Sequence, residues 1–327
     1  MRLPGMFLTW ERHQRTRSLV ARLGLTLREV VVPGPRYRRY WGQIAGTLRH
    51  LRRERPPLVI LQNPSLVLNV LVLCWRALTR AKFTLVMDAH NEAVEPVIVT
   101  WKLWRALAAW AVRRADFTIV TNRFLAEKVV QLGGRPLVLA DPVPAVAPAA
   151  ARTLASDEPL RLLVIATYAK DEPIAEILEA ARAVQGQIEF HFTGNFRKLP
   201  ESVLASVPSN VKFLGFLAEP DYWEHMRNAH AVLDFTLMED CLVCGAYEAV
   251  AVGRPMLLSD TRALKDYFRL GALYSPAEPG AIAAAARRLR TEYDQLNEQI
   301  VELRTLLQTE WSAQAAAVVA QLTPDQS

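Results

Sequence analysis

The stretch AVLDFTLMEDCLVCGAYEAVAVGRPMLLSD, residues 231–260, decides the fold. Its apolar run predicts a buried strand over 231–236, a polar elbow over 238–244 and a short helix over 245–252. Gly253-Arg254-Pro255 stops that helix and 256–259 reads as a second strand, so the stretch forms one β-α-β unit. A loop that leaves a strand and enters a helix at Gly245 aims backbone N–H groups and the positive end of the helix dipole at whatever sits there, which suits a diphosphate. Cys244, Gly245 and Ala246 are the residues that would present those groups. Asp240 lies in the loop and Glu248 in the first turn, so the two carboxylates can flank one pocket, one reaching a sugar and the other a ribose diol.

Outward from this unit, the chain is 327 residues long, enough for about two domains, and 51% apolar with 22% charged residues, ordinary for a protein with a full core. Three cysteines, Cys74, Cys241 and Cys244, are too few for a disulfide framework, and a lone Cys-x-x-Cys is a weak metal or redox signal; they read as reduced, buried thiols of a cytosolic protein. No signal peptide is expected after Met1, and the apolar run over 65–75 is broken by Asn69 and falls short of the ~20 residues of a bilayer span. Charge is uneven. Residues 1–150 hold 23 Lys and Arg against nine Asp and Glu, a surplus of 14, whereas the remainder holds 16 against 24. The basic half carries no RNP aromatic pattern, zinc finger or helix-turn-helix, so nucleic acid is not expected as a partner. Arginines interspersed with tryptophan suit an anionic membrane surface instead.

In chain order, a first strand over 5–9 runs into the basic loop that holds Arg12, His13 and Arg15, followed by a helix over 18–23. A strand over 27–32, a basic aromatic helix over 36–55, a strand over 57–61, a helix to about 78 and a strand over 82–87 follow. That last strand runs into Asp88-Ala89-His90-Asn91-Glu92, placing His90 at the carboxyl end of a buried strand, where open α/β sheets bind ligands. A helix over 97–114 carries Trp101, Lys102, Trp104 and Arg105 at helical spacing, a stripe that suits either a bilayer surface or the core. A strand over 116–120, a helix over 123–132 capped by Thr121 and a strand over 137–139 close the first half. Residues 142–159, rich in Pro and Ala, read as a linker. A second α/β series then begins with a strand over 160–166, a helix from about 173 to 184, and a strand over 188–193 that ends in Thr193-Gly194-Asn195. The tail over 291–322 is helical, with Leu296, Ile300, Leu303 and Leu307 at heptad-like spacing.

Two acids eight positions apart, Asp240 and Glu248, with small residues between them and then Glu-Ala-x-Ala-x-Gly-x-Pro, resemble the Glu-x7-Glu signature of GT-B retaining glycosyltransferases, especially family 4. The departures are a shorter first acid, preceded by Glu239, and Cys241-Leu242-Val243 in place of the usual Gly-Phe-Gly. Gln62-Asn63-Pro64, then a strand, then Asp-x-His-Asn, and later Thr167-x-x-x-Asp171-Glu172-Pro173, resemble bacterial family 4 enzymes and lipid-linked-oligosaccharide mannosyltransferases. The resemblance implies an α/β GT-B fold, two Rossmann-like domains facing across a cleft. Residues 1–145 would be the acceptor domain, 146–159 the linker, 160–305 the nucleotide-sugar domain, and 306–327 a helix returning to the first domain.

It implies a metal-independent transfer of a hexose from a nucleotide diphosphate sugar, with no cofactor, to a lipid-linked or polysaccharide acceptor at the cytoplasmic face of the membrane. Exopolysaccharide or cell-envelope glycan synthesis is the pathway it suggests. In that frame Glu248 holds the ribose, while Cys244, Gly245 and Ala246 hold the diphosphate. Asp240 takes the sugar hydroxyls and His90 the reacting face. Lys170 neutralises the leaving group, with Arg197 or Lys198 in reserve, and Thr193 and Gly194 complete the donor wall. Arg12, His13 and Arg15 grip an acceptor phosphate, or else form only a solvated basic helix start. No metal ligand set is expected, since the chain has no Asp-x-Asp. Two rival readings stand beside this one: a non-catalytic GT-B scaffold that partners an active transferase, and a GT-B nucleotide-sugar epimerase.

Overall fold

The computed structural model describes residues 3–12, 14–63, 65–89, 94, 102–150, 152–155 and 157–323. The described chain divides into two compact units, Met1–Pro142 with Glu310–Ser327, and Val143–Thr309.

The first unit is a parallel six-stranded sheet in the order β2-β1-β3-β4-β5-β6, formed by Met6–Thr9, Thr26–Glu29, Leu58–Asn63, Thr84–Ala89, Phe117–Val120 and Pro136–Val138. Strands such as VILQ and TLVM are apolar almost without alternation, as a parallel sheet covered by helices on both faces requires. Val59, Ile60, Leu61, Val86 and Met87 are accordingly buried to the last atom. The helices of this unit are α1 (Gln14–Leu23), α2 (Arg36–Glu54), α3 (Leu66–Thr79), α4 (Lys102–Arg114) and α5 (Arg123–Gln131). The cap of α5 is Asn122, whose side chain accepts from the amide of Leu125 at 3.1 Å, and not Thr121 as the sequence suggested. The residue with extended backbone next to the first turn wins that role.

The second unit repeats the architecture: Leu160–Val164, Ile188–Thr193, Val211–Gly215, Ala231–Asp234, Met256–Ser259 and Ala272–Ser275 are β7 to β12, in the parallel order β12-β11-β10-β7-β8-β9. Its helices are α6 (Ile174–Ala183), α7 (Glu201–Leu204), α8 (Glu219–Asn228), α9 (Cys244–Val252), α10 (Arg262–Tyr267) and α11 (Pro279–Thr291). The β-α-β reading of residues 231–260 holds: β10 and β11 are buried at every position and pair in parallel, with α9 between them. Strand β10 ends two residues early because side chains take over its ladder; the amide of Thr236 donates to Ser259 Oγ at 2.8 Å. Gly253 caps α9 with φ 77, a left-handed turn that glycine adopts without strain.

The last helix, α12 (Tyr293–Leu322), serves both cores. Leu296, Ile300, Leu303 and Leu307 pack into the second unit, so the heptad-like spacing is a core face, whereas Trp311, Ala315, Val318 and Leu322 pack against Leu3, Phe7, Leu19 and Leu23 of the first. Trp311 Nε1 donates to the carbonyl of Ala140 at 3.0 Å. The three cysteines are free thiols, but Cys74 and Cys244 are exposed, not buried: the first lies on the outer side of α3 and the second on the open first turn of α9. Among the described residues no helix is long and apolar enough to cross a membrane.

Candidate functional site

In the second unit β7 and β10 lie side by side, and the chain leaves them toward opposite sides of the sheet. That is the switch point at whose carboxyl edge open α/β sheets bind ligands. The loops after β7, β10 and β11 are bonded into one piece there. Asp171 accepts from the amide of Leu237 through its carbonyl at 2.7 Å and from Thr236 Oγ1 through its carboxylate at 3.0 Å. Glu172 accepts from the amides of Thr167 and Tyr168 at 2.9 and 2.8 Å, holding Tyr168 in a left-handed conformation of φ 58. Lys198 Nζ donates to the carbonyl of Thr167 at 2.6 Å.

At the head of α9, Asp234 Oδ2 accepts from the amide of Gly245 at 2.8 Å. The amide expected to face a diphosphate is therefore engaged by a carboxylate at the end of β10. Glycine is needed here for close approach: a Cβ would come within 2.6 Å of both Asp234 Oδ2 and Ile165 Cγ1. Burial pushes the Asp234 carboxyl well above the ordinary carboxylate range; the Gly245 amide opposes the shift, and Glu248, Glu172 and Asp171 add to it. Glu248 stands one turn further along α9, where its Oε2 accepts from Tyr222 Oη of α8 at 2.5 Å. Burial raises its carboxyl to about 7, with the Tyr222 hydroxyl opposing. An acid of that kind is poised between its two forms near neutrality, and in the ionised form it can accept two vicinal hydroxyls.

Asp240 is buried, with 4% of its surface exposed, and is chelated by Arg262: Nε reaches Oδ1 at 2.7 Å and Nη2 reaches Oδ2 at 2.9 Å. The fork geometry of guanidinium against carboxylate makes such pairs strong and directional. Glu239 adds a bond from the amide of Arg262 at 2.9 Å. The sequence reading has Asp240 and Glu248 flank one pocket; in the structure each has its own partner, Arg262 and Tyr222.

The remaining donor-side residues fall into two groups. Thr193 is buried and its hydroxyl clasps β7, donating to the carbonyl of Val164 at 3.1 Å and accepting from the amide of Ala166 at 3.3 Å. Gly194, at φ 83, brings its backbone so close to Ala166 that a Cβ would lie 1.9 Å from the Ala166 carbonyl oxygen. These two shape the edge from inside. Lys170 and Arg197 are exposed, and neither is paired with a carboxylate among the described residues, so both are available to an anion.

In the first unit the corresponding switch point is between β1 and β3. A cavity of about 580 Å³ opens at its carboxyl edge, lined by Trp10, Arg12, Arg39, Tyr40, Gln43 and Ser65 among others. Trp10 is fixed by its Nε1 donating to Thr47 Oγ1 at 2.9 Å and by its carbonyl accepting from Gln43 at 3.2 Å. Arg12 is 72% exposed and 3.9 Å from Glu29, facing this cavity. Arg15 does not join it. Its side chain is 7% exposed, bonded to Asp88 at 2.9 Å and to Asp141, so its charge is spent on tying the ends of β4 and β6 together. His13 and His90 lie outside the described residues.

Tyr222, Asp234 and Arg262 escaped the sequence reading. Asp234 had a signal, a carboxylate closing the fully apolar run AVL, which is costly unless it has a dedicated partner. Tyr222 and Arg262 had none, because their partners lie 26 and 22 residues away on other elements.

Comparison with known proteins agrees with this fold. Residues 6–144 match the glycosyl transferase 4-like domain and residues 159–292 match glycosyl transferases group 1. No curated protein matches the chain in sequence. Among solved structures, Alr3699/HepE of Anabaena in complex with UDP-glucose superposes with a TM-score of 0.75 at 12% identity, covering 97% of this chain and 100% of that one. Sucrose-phosphate synthase from Thermosynechococcus elongatus gives 0.73 at 16% identity, over 97% and 87%. The lipopolysaccharide outer core galactosyltransferase WaaB in its apo form gives 0.64 at 14%, over 97% and 99%. At these identities the likeness is one of fold.

Proposed function

The chain belongs to the GT-B glycosyltransferases, a 4-like domain followed by a group 1 domain, and on that footing we propose that it moves a hexose from a nucleotide diphosphate sugar to a lipid-linked or polysaccharide acceptor at the cytoplasmic face of a membrane. The observation that carries the reading is Glu248: a carboxylate raised by burial to about 7, one turn into α9, the helix that follows β10, and held by Tyr222. Its ionised form would accept the two ribose hydroxyls. Lys170 and Arg197 would balance the departing diphosphate, and electrostatic relief of that group would be the main catalytic contribution. His90 would face the reacting sugar. The absence of an Asp-x-Asp motif supports transfer without a divalent cation. A uridine nucleotide is the first donor to try, since the fold superposes on a protein bound to UDP-glucose. On the acceptor side, the cavity with Trp10, Arg12, Arg39 and Tyr40 offers cations and aromatic faces to a phosphate-linked saccharide, and the basic first half suits an envelope-glycan pathway at an anionic surface.

Thermal unfolding with UDP-, GDP- and dTDP-sugars tests the donor. A ligand at 100 times its dissociation constant stabilises by about 2.7 kcal/mol. One nucleotide should stabilise the wild type and leave Glu248→Ala unmoved; no shift with any of them in folded protein would sink the reading. A scaffold that keeps the fold without turnover has one observation in its favour, the chelation of Asp240 by Arg262. Nucleotide release with a polyprenyl-diphosphate saccharide, lost in Glu248→Ala, excludes it. Turnover with donor alone would instead indicate an epimerase.

A further inference from the structure

The amino edge of the first sheet, at the far end of β3 from the Trp10 cavity and roughly 20 Å from it for a six-residue strand, carries a second cavity of about 550 Å³. Its walls come from the ends of α2 and α3 and from the segments entering β3 and β4. Leu51, Pro56, Trp75 and Phe83 make the apolar part, with the Trp75 and Phe83 rings stacked at 6.1 Å. Trp75 is half-buried and its ring forms part of this wall.

Three cations stand around the same cavity: Arg52, Arg55 and Lys82, all exposed. Among the described residues none of them is paired with a carboxylate, although the nearby Arg76 is spent on Asp116. Arg55 is held at the mouth by a left-handed turn, φ 41, closing α2. Arg52 also borders a shallower groove of about 610 Å³ along α2, floored by Ile44, Ala45 and Leu48 and flanked by Arg49, Arg53 and the 72%-exposed Trp41. One arginine thus joins a cationic, aromatic-walled pocket to a shallow apolar groove along α2 rimmed by further cations. The complement of that shape is a single molecule with an anionic, oxygen-rich head and an alkyl chain.

We propose that the cavity between the ends of α2 and α3 binds the phosphate headgroup of an anionic membrane lipid, with an acyl chain lying in the groove along α2. Arg52, Arg55 and Lys82 meet the phosphate, the Trp75 and Phe83 rings wall the headgroup pocket, and Ile44 and Leu48 take the chain. Binding here needs neither donor nor acceptor, so it stands or falls apart from the transferase reading.

The test titrates dihexanoyl phosphatidic acid, kept below its micelle concentration, into the full chain with ¹⁵N-labelled tryptophan, and follows the Trp75 indole resonance, assigned with Trp75→Phe. Dihexanoyl phosphatidylcholine and inorganic phosphate are titrated in parallel. The expected result is a saturable Trp75 shift with phosphatidic acid, at least tenfold weaker for the other two, and weakened at least tenfold by the combined Arg52→Gln, Arg55→Gln, Lys82→Gln variant. An unmoved Trp75 resonance overturns the proposal. So does equal affinity for phosphatidylcholine, which would make the site merely apolar, or for inorganic phosphate, which would make it a bare anion site. Should the triple variant fail to fold, the three-way comparison on the wild type decides alone.

Discussion

Replacing Glu248 with glutamine should make the fold less sensitive to pH while weakening donor binding. The wild-type carboxyl is raised by burial from 4.5 to about 7. A carboxyl that holds its proton more tightly in the fold than in the unfolded chain contributes nothing against the fold below 4.5, where both states are protonated. As pH climbs toward 7 the unfolded chain sheds the proton first, so stability falls, and above 7 the full penalty is in place. The shift corresponds to an upper bound of about 3 kcal/mol. Glutamine keeps an oxygen for Tyr222 Oη but does not titrate. Stability measured by urea unfolding from pH 4.5 to 8 should therefore drop more steeply in the wild type than in Glu248→Gln. The two curves should separate by up to about 3 kcal/mol, or roughly 2–4 °C in Tm for each kcal/mol in a domain of this size. Asp234 is raised mainly by burial and slopes both curves; the part of its shift that Glu248 contributes is lost in the variant and adds to the difference between them, which is the quantity to read. Parallel curves would refute the reasoning. If ribose hydroxyls donate to the ionised form, nucleotide-sugar affinity should rise as pH rises through 7 in the wild type and stay flat in the variant.

Gly194→Ala forces a Cβ to 1.9 Å from a carbonyl oxygen at a positive φ, and should destabilise by about 2–4 kcal/mol; an unchanged urea midpoint would show that the β8 edge relaxes. Arg262→Gln strands the buried carboxylate of Asp240 and should cost about 1–3 kcal/mol, recovered in part by adding Asp240→Asn, a coupling that a double-mutant cycle measures directly. Arg15→Met removes the cation between Asp88, which is fully buried, and Asp141, and should cost about 3–5 kcal/mol. Calorimetry should register that loss with any effect on the acceptor following the loss of fold; a variant of normal Tm with impaired transfer would instead return Arg15 to the acceptor site.

The two sheets were legible because parallel strands buried on both faces are written as unbroken apolar runs, and because Gly253-Arg254-Pro255 punctuates α9 unambiguously. Strand ends were less so. Strand β2 is Thr26–Glu29 where apolarity suggested 27–32, since pairing with β1 ends at Glu29. In the site, sequence spacing suggests that Asp240 and Glu248 flank one pocket, but only the fold supplies Arg262 and Tyr222 to meet them. Arg15 shows the converse: in a basic loop it looks like a ligand for phosphate, and two aspartates, one of them 126 positions further along, claim it. The pattern encodes where a charge sits along the chain, not which countercharge reaches it first.

Helix α12 has a consequence for how the molecule is made. Trp311, Ala315, Val318 and Leu322 complete a core whose other members, Leu3, Phe7, Leu19, Leu23 and Leu137, have all been synthesised by residue 142. At ~5–20 residues per second the ribosome needs roughly 10–40 s more to reach Leu322. Through that interval the nascent first unit shows an uncovered apolar face, a natural landing place for a chaperone. Truncation after Thr309 would leave that face open for good, so the shortest self-sufficient version of the first domain has to borrow its final helix from beyond the second one.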